Sequence, residues 1–288
     1  MGYSPLQRSA EPSQERAPQL RAMVTDDQAS VVSKTSYHRY VPWMVIGVIV
    51  VLWWVVSALH IFPRLALPSP GRVTRDAYVI ATTGYNGYSL LDNIGASVTR
   101  IAVGFVAAII VGVPIGFGMA SSKIVFNAVD PLLQFLRPIP PLAYIPVMVI
   151  WFGVGQLSKF VLIFVCTIPI IIINAMSGAK NVQETRIRVA QVFGADRRQL
   201  FRYVILPSAL PEIFTGMRVA IGVAWTCLVA AEMIAAQTGL GAIILTAGNE
   251  LRMGVVFVGI ILIGVIGYLM ELFIRTVEQR MIPWKGKA

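Results

Sequence analysis

The chain has 288 residues, of which 56% are hydrophobic and only 13% charged, with a mean hydropathy of +0.72. Soluble domains carry about 25% charged residues, so the composition excludes an ordinary soluble protein. The net charge of +10 would point to nucleic acid in a soluble chain, but here it is read as membrane topology.

No Asp, Glu, Lys or Arg occurs between Arg39 and Arg64, Arg100 and Lys123, Arg137 and Lys159, Lys159 and Lys180, or Arg252 and Glu271, and each gap holds at least 18 residues. A hydrocarbon core about 30 Å thick takes roughly 20 residues of α-helix, which satisfies its own backbone polar groups. These gaps therefore read as spans, and a sixth apolar run, Ile213 to Ala236, is broken only by Arg218 and Glu232. The fold class is all-α, a polytopic membrane protein with six transmembrane helices. Six spans in this length leave room for one membrane domain and no soluble catalytic module.

In chain order, residues 1–40 carry Pro5, Pro12, Pro18 and mixed charges and read as a disordered cytosolic tail, with the transmembrane domain at 41–288. The first apolar run starts only near Val41 and is too long for a signal-peptide h-region. The first span is Val41–Phe62, followed by a segment from Pro63 to Asp92 with a short surface helix at Pro70–Ala81. The second, Ser97–Ala120, holds Gly104, Gly112, Gly116 and Gly118, which allow close helix approach, and Pro114, which predicts a kink. The third begins in residues 137–146, where Pro138, Pro140, Pro141 and Pro146 forbid a regular helix. Broken backbone at membrane depth survives only inside protein or beside a water-filled cavity, so this stretch is either a pathway lining or an irregular packing element. The fourth, fifth and sixth spans are Lys159–Gly178, Pro211–Ala236 and Gly254–Thr276. Cys166 and Cys227 each sit in mid-span, where a thiol is a small hydrophobe, and imply neither a disulfide framework nor a zinc site.

The cations sort by side. With the N-terminus cytoplasmic, the inner side collects the tail, Lys123, seven residues of a central insert (Lys180, Arg186, Arg188, Arg197, Arg198, Arg202, Arg218) and the C-terminal Arg275, Arg280, Lys285 and Lys287. The outer side has only Arg64, Arg72, Arg75, Lys159 and Arg252. Both termini and the insert are thus expected in the cytosol.

The insert, about 180–207, has internal punctuation. A helix is expected from Val182 to Phe193, with Ile187, Ala190 and either Val189 or Phe193 on one stripe, and Gly194 as its left-handed stop. Asp196 caps a second short helix with Leu200, Phe201 and Val204 on its apolar face, ended by Pro207. Such a hairpin, with Arg197, Arg198 and Arg202, has the composition of a docking knob. A solvated basic loop explains the charges but not Gly194, Phe201 and Pro207 together.

This segment resembles the E-A-A loop of ABC importer permeases, E-A-A-x3-G-x9-I-x-L-P. Gly194 takes the glycine, Val204 the isoleucine, and Leu206 and Pro207 the last pair, while Arg188 and Val189 stand for the Glu and first Ala and only Ala190 matches there. More specific are R-P-I-P-P-L-A-Y-I-P-V-M-V-I-W-F-G-V-G at 137–155, I-L-P-S-A-L-P-E-I-F-T-G-M-R at 205–218 and V-A-A-E-M-I-A-A at 229–236. From about residue 40 onward the chain resembles the permease subunits of taurine importers, in the nitrate, sulfonate and taurine branch, with the MetI-like fold. The resemblance implies a homodimer in the bacterial inner membrane, two cytosolic ATPase subunits and a periplasmic solute-binding protein. It implies Arg188, Ala190, Gly194, Ala195, Asp196, Arg197, Leu200, Phe201, Leu206 and Pro207 as the ATPase-coupling set. The chain lacks a G-x4-G-K-[ST] motif, so it is expected to be no enzyme and to bind no cofactor, metal or nucleic acid, with ATP and Mg on the partner ATPase.

Charges inside the membrane are costly unless paired or wet, and each is a candidate for function. Glu232 lies 14 residues beyond Arg218, about 21 Å along a helix. Two roles stay open: bonding adjacent backbone or Arg100, or meeting the ammonium of a zwitterionic solute such as taurine. Arg100 and Arg137 are candidates for its sulfonate, or anchors of helix ends. With Pro141, Tyr144 and Trp225 they complete the pathway candidates. Alkanesulfonate or nitrate transport is the near alternative. An ion-coupled secondary transporter acting alone is the rival class, but no internal repeat is visible. A membrane-embedded enzyme lacks a clustered nucleophile, ligand set or acid/base pair, since the only histidines are His38 and His60.

Overall fold

The computed structural model describes residues 41–59, 61–63 and 66–284, without the Pro42 side chain. The expected tail 1–40 and residues His38, His60, Arg64, Lys285 and Lys287 lie outside them. The chain divides into two units at Phe62. In the first, α1 (Val41–Ala58) is an 18-residue apolar helix, four residues shorter than expected. Pro63 disfavours helical backbone in the residue before it.

In the second unit the regular elements among the described residues are all helices, apart from an isolated bridge between Tyr85 and Tyr88. Helix α2 (Pro70–Thr83) starts at Ser69, with proline in the first turn where no amide partner is needed. Helix α3 (Leu90–Ser121) begins seven residues before the expected Ser97. The reason is a capping box: the Ser89 hydroxyl accepts from the Asp92 amide at 3.1 Å, and the Asp92 carboxylate accepts from the Ser89 amide at 3.1 Å. Pro114 does not interrupt α3.

The third span departs most from expectation. The charge-free stretch after Arg137 is not one helix. Helix α4 (Lys123–Leu136), a 3-10 turn at Pro141–Tyr144 and the eight-residue α5 (Ile145–Phe152) follow each other, and the two helical parts meet at 96°. The prolines break the backbone where expected, but α4, with Lys123 and Asp130, was hidden by its charges. Helix α6 (Gln156–Lys180) is the next span. Then come α7 (Glu184–Val192), the short α8 (Arg197–Leu200) and, after a wide turn, the long α9 (Leu206–Ala235). An unforeseen helix, α10 (Leu240–Asn249), precedes α11 (Met253–Met281). Among the described residues, four helical stretches are long and apolar enough to cross a membrane, five if the bent pair counts as one.

Helices α3, α6 and α9 form the centre. A methyl built on Gly104 would lie 2.7 Å from Ile163 Cβ, and one on Gly116 2.6 Å from the Ile172 carbonyl, so these glycines bring α3 against α6. Gly118, grouped with them in the sequence, instead touches only Val125. On the other side of α6, Gly178 faces Ala209 and Gly216 faces Asn174, both across to α9. Van der Waals packing of close backbones replaces the hydrophobic drive that lipid cannot supply.

Candidate functional site

The hairpin is built by two local motifs. Helix α7 stops at Gly194 (φ 80°), where the Gly194 amide donates to the Gln191 carbonyl at 2.9 Å and the Ala195 amide to the Ala190 carbonyl at 3.0 Å. This is a Schellman stop, and a left-handed backbone favours glycine there. Nothing lies within 4 Å of a methyl at Gly194, so torsion and not space selects the residue. Asp196 then caps α8: its carboxylate accepts from the Gln199 amide at 2.7 Å, and the Gln199 side chain accepts from the Asp196 amide at 2.9 Å. The aspartate was legible in the sequence, and its partner Gln199 was not singled out.

One expectation is corrected. Pro207 does not end the second helix. Residues 201–205 widen into a π-turn, with the Leu206 amide donating to the Phe201 carbonyl, and the chain runs helically from Arg197 to Ala235. Widening of this kind accommodates a proline, which lacks an amide and crowds the carbonyl four residues back. No α7 residue is buried; Ile187 and Ala190 are half-buried, while Val189, Val192 and Phe193 are 50%, 85% and 86% exposed. Val192 escaped the sequence reading because it lies off the expected stripe.

The hairpin joins the bundle through Phe201, whose ring meets Phe117 of α3 edge-on at 5.1 Å. Ile205 and Leu206 pack on the buried Phe117, Ala175, Ala209 and Ile213. Arg188 pairs with Glu184 at 3.1 Å in the open, a contact of little energetic weight. Arg197 is exposed, and Leu200 and Pro207 are half-buried. A groove of about 500 Å³ runs between α7 and the start of α9, lined by Val189, Ala190, Tyr203, Val204, Pro207 and Trp284.

The second constellation lies about 26 Å from Phe117 along α3, 17 residues earlier. Arg100 and Glu232 form an ion pair at 2.5 Å with side chains 2% and 0% exposed. The carboxylate also accepts from the Ser97 hydroxyl at 2.8 Å and the Gly241 amide at 3.0 Å. The guanidinium donates further to the Thr238 carbonyl at 2.7 Å, the Thr238 hydroxyl at 3.0 Å and the Gln156 side chain at 2.6 Å. The Asn93 side-chain oxygen accepts from the Gly239 amide at 2.8 Å. Gly239 (φ 126°) would overlap the Glu232 carboxylate if it carried a Cβ, so glycine lets the loop close over the charge. Of the two roles open for Glu232, this is the geometry of the structural one, with both backbone and Arg100 as partners. Arg100 is correspondingly neutralised. Ser97, Gln156, Thr238, Gly239 and Gly241 were not singled out, since the demand for a partner is local but its identity is not.

The other pathway candidates are not gathered there. Arg137 is exposed at the end of α4, Pro141 and Tyr144 are half-buried, and Tyr144 packs beside Cys166 and Cys227, both free thiols. Trp225 is buried against Gly267, with its indole nitrogen lacking a hydrogen-bond partner among the described residues. Arg218 pairs with Glu278 of α11 at 2.5 Å, a partner the sequence reading did not foresee. Among the described residues no group of three or more His, Cys, Asp or Glu side chains could hold a metal.

Residues 104–283 match the family model for the binding-protein-dependent transport system inner membrane component. The taurine transport system permease protein TauC of Escherichia coli is 43% identical over 244 residues, covering 84% of this chain and 89% of that one. The nitrate import permease protein NrtB of Synechocystis is 35% identical, over 85% and 90% of the two chains. The putative aliphatic sulfonates transport permease protein SsuC of Bacillus subtilis is 32% identical, over 90% and 94%. Among solved structures, the MetNI methionine ABC transporter in an inward-facing conformation superimposes with a TM-score of 0.59 at 19% identity, covering 67% of this chain and 95% of that chain, a likeness of fold.

Proposed function

We propose a function from the premise that this chain belongs to the family of binding-protein-dependent transport system inner membrane components. It is a permease subunit of an ABC importer of the nitrate, sulfonate and taurine branch, a multi-pass inner-membrane protein that is not itself an enzyme. Such permeases work with a separate ATPase and a solute-binding protein. Our finer reading is that the solute is taurine, that two copies of the chain form the membrane unit with two ATPases, and that the hairpin and both termini face the cytosol.

One observation carries the coupling role: a hairpin held by its own backbone motifs leaves Val192 and Phe193 almost fully exposed, while its second limb continues into α9. Exposed apolar tips with a basic rim fit a protein partner. Arg197 to Ala235 is 39 residues of helix, about 58 Å of continuous rod. ATP-driven closure of the two ATPases would draw the hairpins together, and the rod would carry that displacement past Arg218 to Glu232. Arg188, Ala190, Gly194, Ala195, Asp196, Arg197, Leu200, Phe201, Leu206 and Pro207 form the grip and its hinge in this reading, with ATP and Mg held by the partner.

The test is uptake of labelled taurine into proteoliposomes holding this chain, its ATPase and its binding protein, with nitrate and longer alkanesulfonates as competitors. Uptake is expected only with all three components and ATP. Uptake by the chain alone would overturn the reading in favour of a self-sufficient carrier, and preference for nitrate would reassign the solute within the branch. A cysteine introduced at Phe193 is expected to be labelled from the cytosolic side only; labelling from outside would reverse the orientation.

A further inference from the structure

Lys159 is a buried cation with no carboxylate in ion-pair contact among the described residues. It lies in the first turn of α6 and is 4% exposed. Its ammonium donates to the carbonyls of Val154 at 2.9 Å and Gly155 at 3.1 Å. An ammonium has three donors, so one has no acceptor among the described residues. The nearest acidic candidate, Glu232, is held by Arg100, Ser97 and Gly241. Arg100 in turn donates to Gln156, one turn before Lys159, so the two cations are neighbours. Arg100, Lys159 and Glu232 together carry one net positive charge in an environment where an uncompensated charge is costly.

The same side chain borders a cavity of about 10 Å³, bounded by Ile145, Met148 and Val149 of α5, Leu162 of α6, and Ala231 and Ala235 of α9. This is room for about one water. Apart from Ser158 and Lys159 the lining is apolar, and Ser158 spends its hydroxyl hydrogen on the Gly155 carbonyl. The walls come from three separate pieces: the short limb of the broken span, α6, and the far end of the rod that begins in the hairpin.

We infer that Lys159 is the subsite for the oxoanion head of the transported solute, a sulfonate or nitrate group, reached when α5 and α9 separate around this cavity. The inference rests on the branch assignment above. An excess of one positive charge matches a single anionic head, and because Arg100 stays with Glu232 the solute does not compete with the seal that holds α3 to α9. It also moves the anion site away from Arg100 and Arg137, one neutralised and the other exposed.

The test uses the complete complex of this chain, ATPase and binding protein in proteoliposomes, with separate taurine and nitrate arms to distinguish the source of the oxoanion. Lys159→Gln, Lys159→Met and Lys159→Arg are compared with wild type for assembly, binding-protein-stimulated ATP hydrolysis and uptake. The two neutral variants are expected to assemble like wild type but to lose about tenfold in uptake, and arginine to restore most of it. Wild-type uptake by Lys159→Gln overturns the subsite, as does an intact Lys159→Arg complex as poor as Lys159→Gln. A complex that assembles with arginine but with neither neutral residue assigns the charge to folding and also overturns it. If the wild-type complex carries neither anion, the branch-level solute reading fails first, on evidence that no variant enters.

Discussion

The rod from Arg197 to Ala235 has two ends that are stabilised in opposite ways. At the hairpin end, all the defining hydrogen bonds join residues within a few positions of one another, no α7 side chain is buried, and the most apolar residues point into the open. At the Glu232 end, every defining bond but the Gly241 amide crosses between distant parts of the chain, up to 146 residues apart, and the charges are sealed. A motif that satisfies itself locally can spare its surface for a partner. A buried charge cannot, because its stability depends on all of its partners being present at once.

The largest effect should come from the sealed end. Arg100→Met leaves the Glu232 carboxylate buried and unpaired, at an expected cost of about 3–5 kcal/mol, read as a fall in the thermal unfolding midpoint of the detergent-solubilised chain. The double variant Arg100→Met with Glu232→Met should recover much of that loss; if it is no more stable than either single variant, the two residues are not a unit. Next comes the hairpin tip. Phe193→Ser should leave the unfolding midpoint unchanged but weaken ATPase association by about 2 kcal/mol, measured by co-purification and uptake. A midpoint drop as large as that of Arg100→Met would erase the contrast between the two ends.

Smaller effects sharpen it. Asp196→Ala removes the α8 cap for about 1 kcal/mol, and should speed amide exchange at Gln199 while leaving amides around Glu232 protected. A smaller effect still is expected at Tyr85, a buried residue in the connection between α2 and α3 whose hydroxyl donates to Glu250 at 2.7 Å. Burial, and then the bond to Glu250, push this phenol from 10.0 up to about 12. A raised phenol pKa means the neutral form is favoured in the fold, so its contribution is full below pH 10 and is lost as pH rises through 12. Tyr85→Phe should remove that alkaline step in a difference titration against wild type and cost no more than about 1 kcal/mol.

Much of this protein was open to reading from the chain alone, and the reason is the same at each place. Span length follows from bilayer thickness, so the charge-free runs announced the long helices. The Gly194 stop and the Asp196 cap depend on torsions and amides within one turn. The errors fall where local signals conflict: a capping box lengthened α3, charges concealed α4, and a π-turn carried the helix through Pro207.

By itself the sequence determined that helices cross a membrane, where the hairpin bends, and that Glu232 requires a partner, because each of these follows from the energetics of neighbouring residues. Only the tertiary structure decided that Arg100 is that partner, that Gly239 makes room for it, and that Lys159 meets backbone carbonyls and no carboxylate among the described residues. Pairing between distant segments depends on how helices pack, and no local periodicity records which side chains will meet.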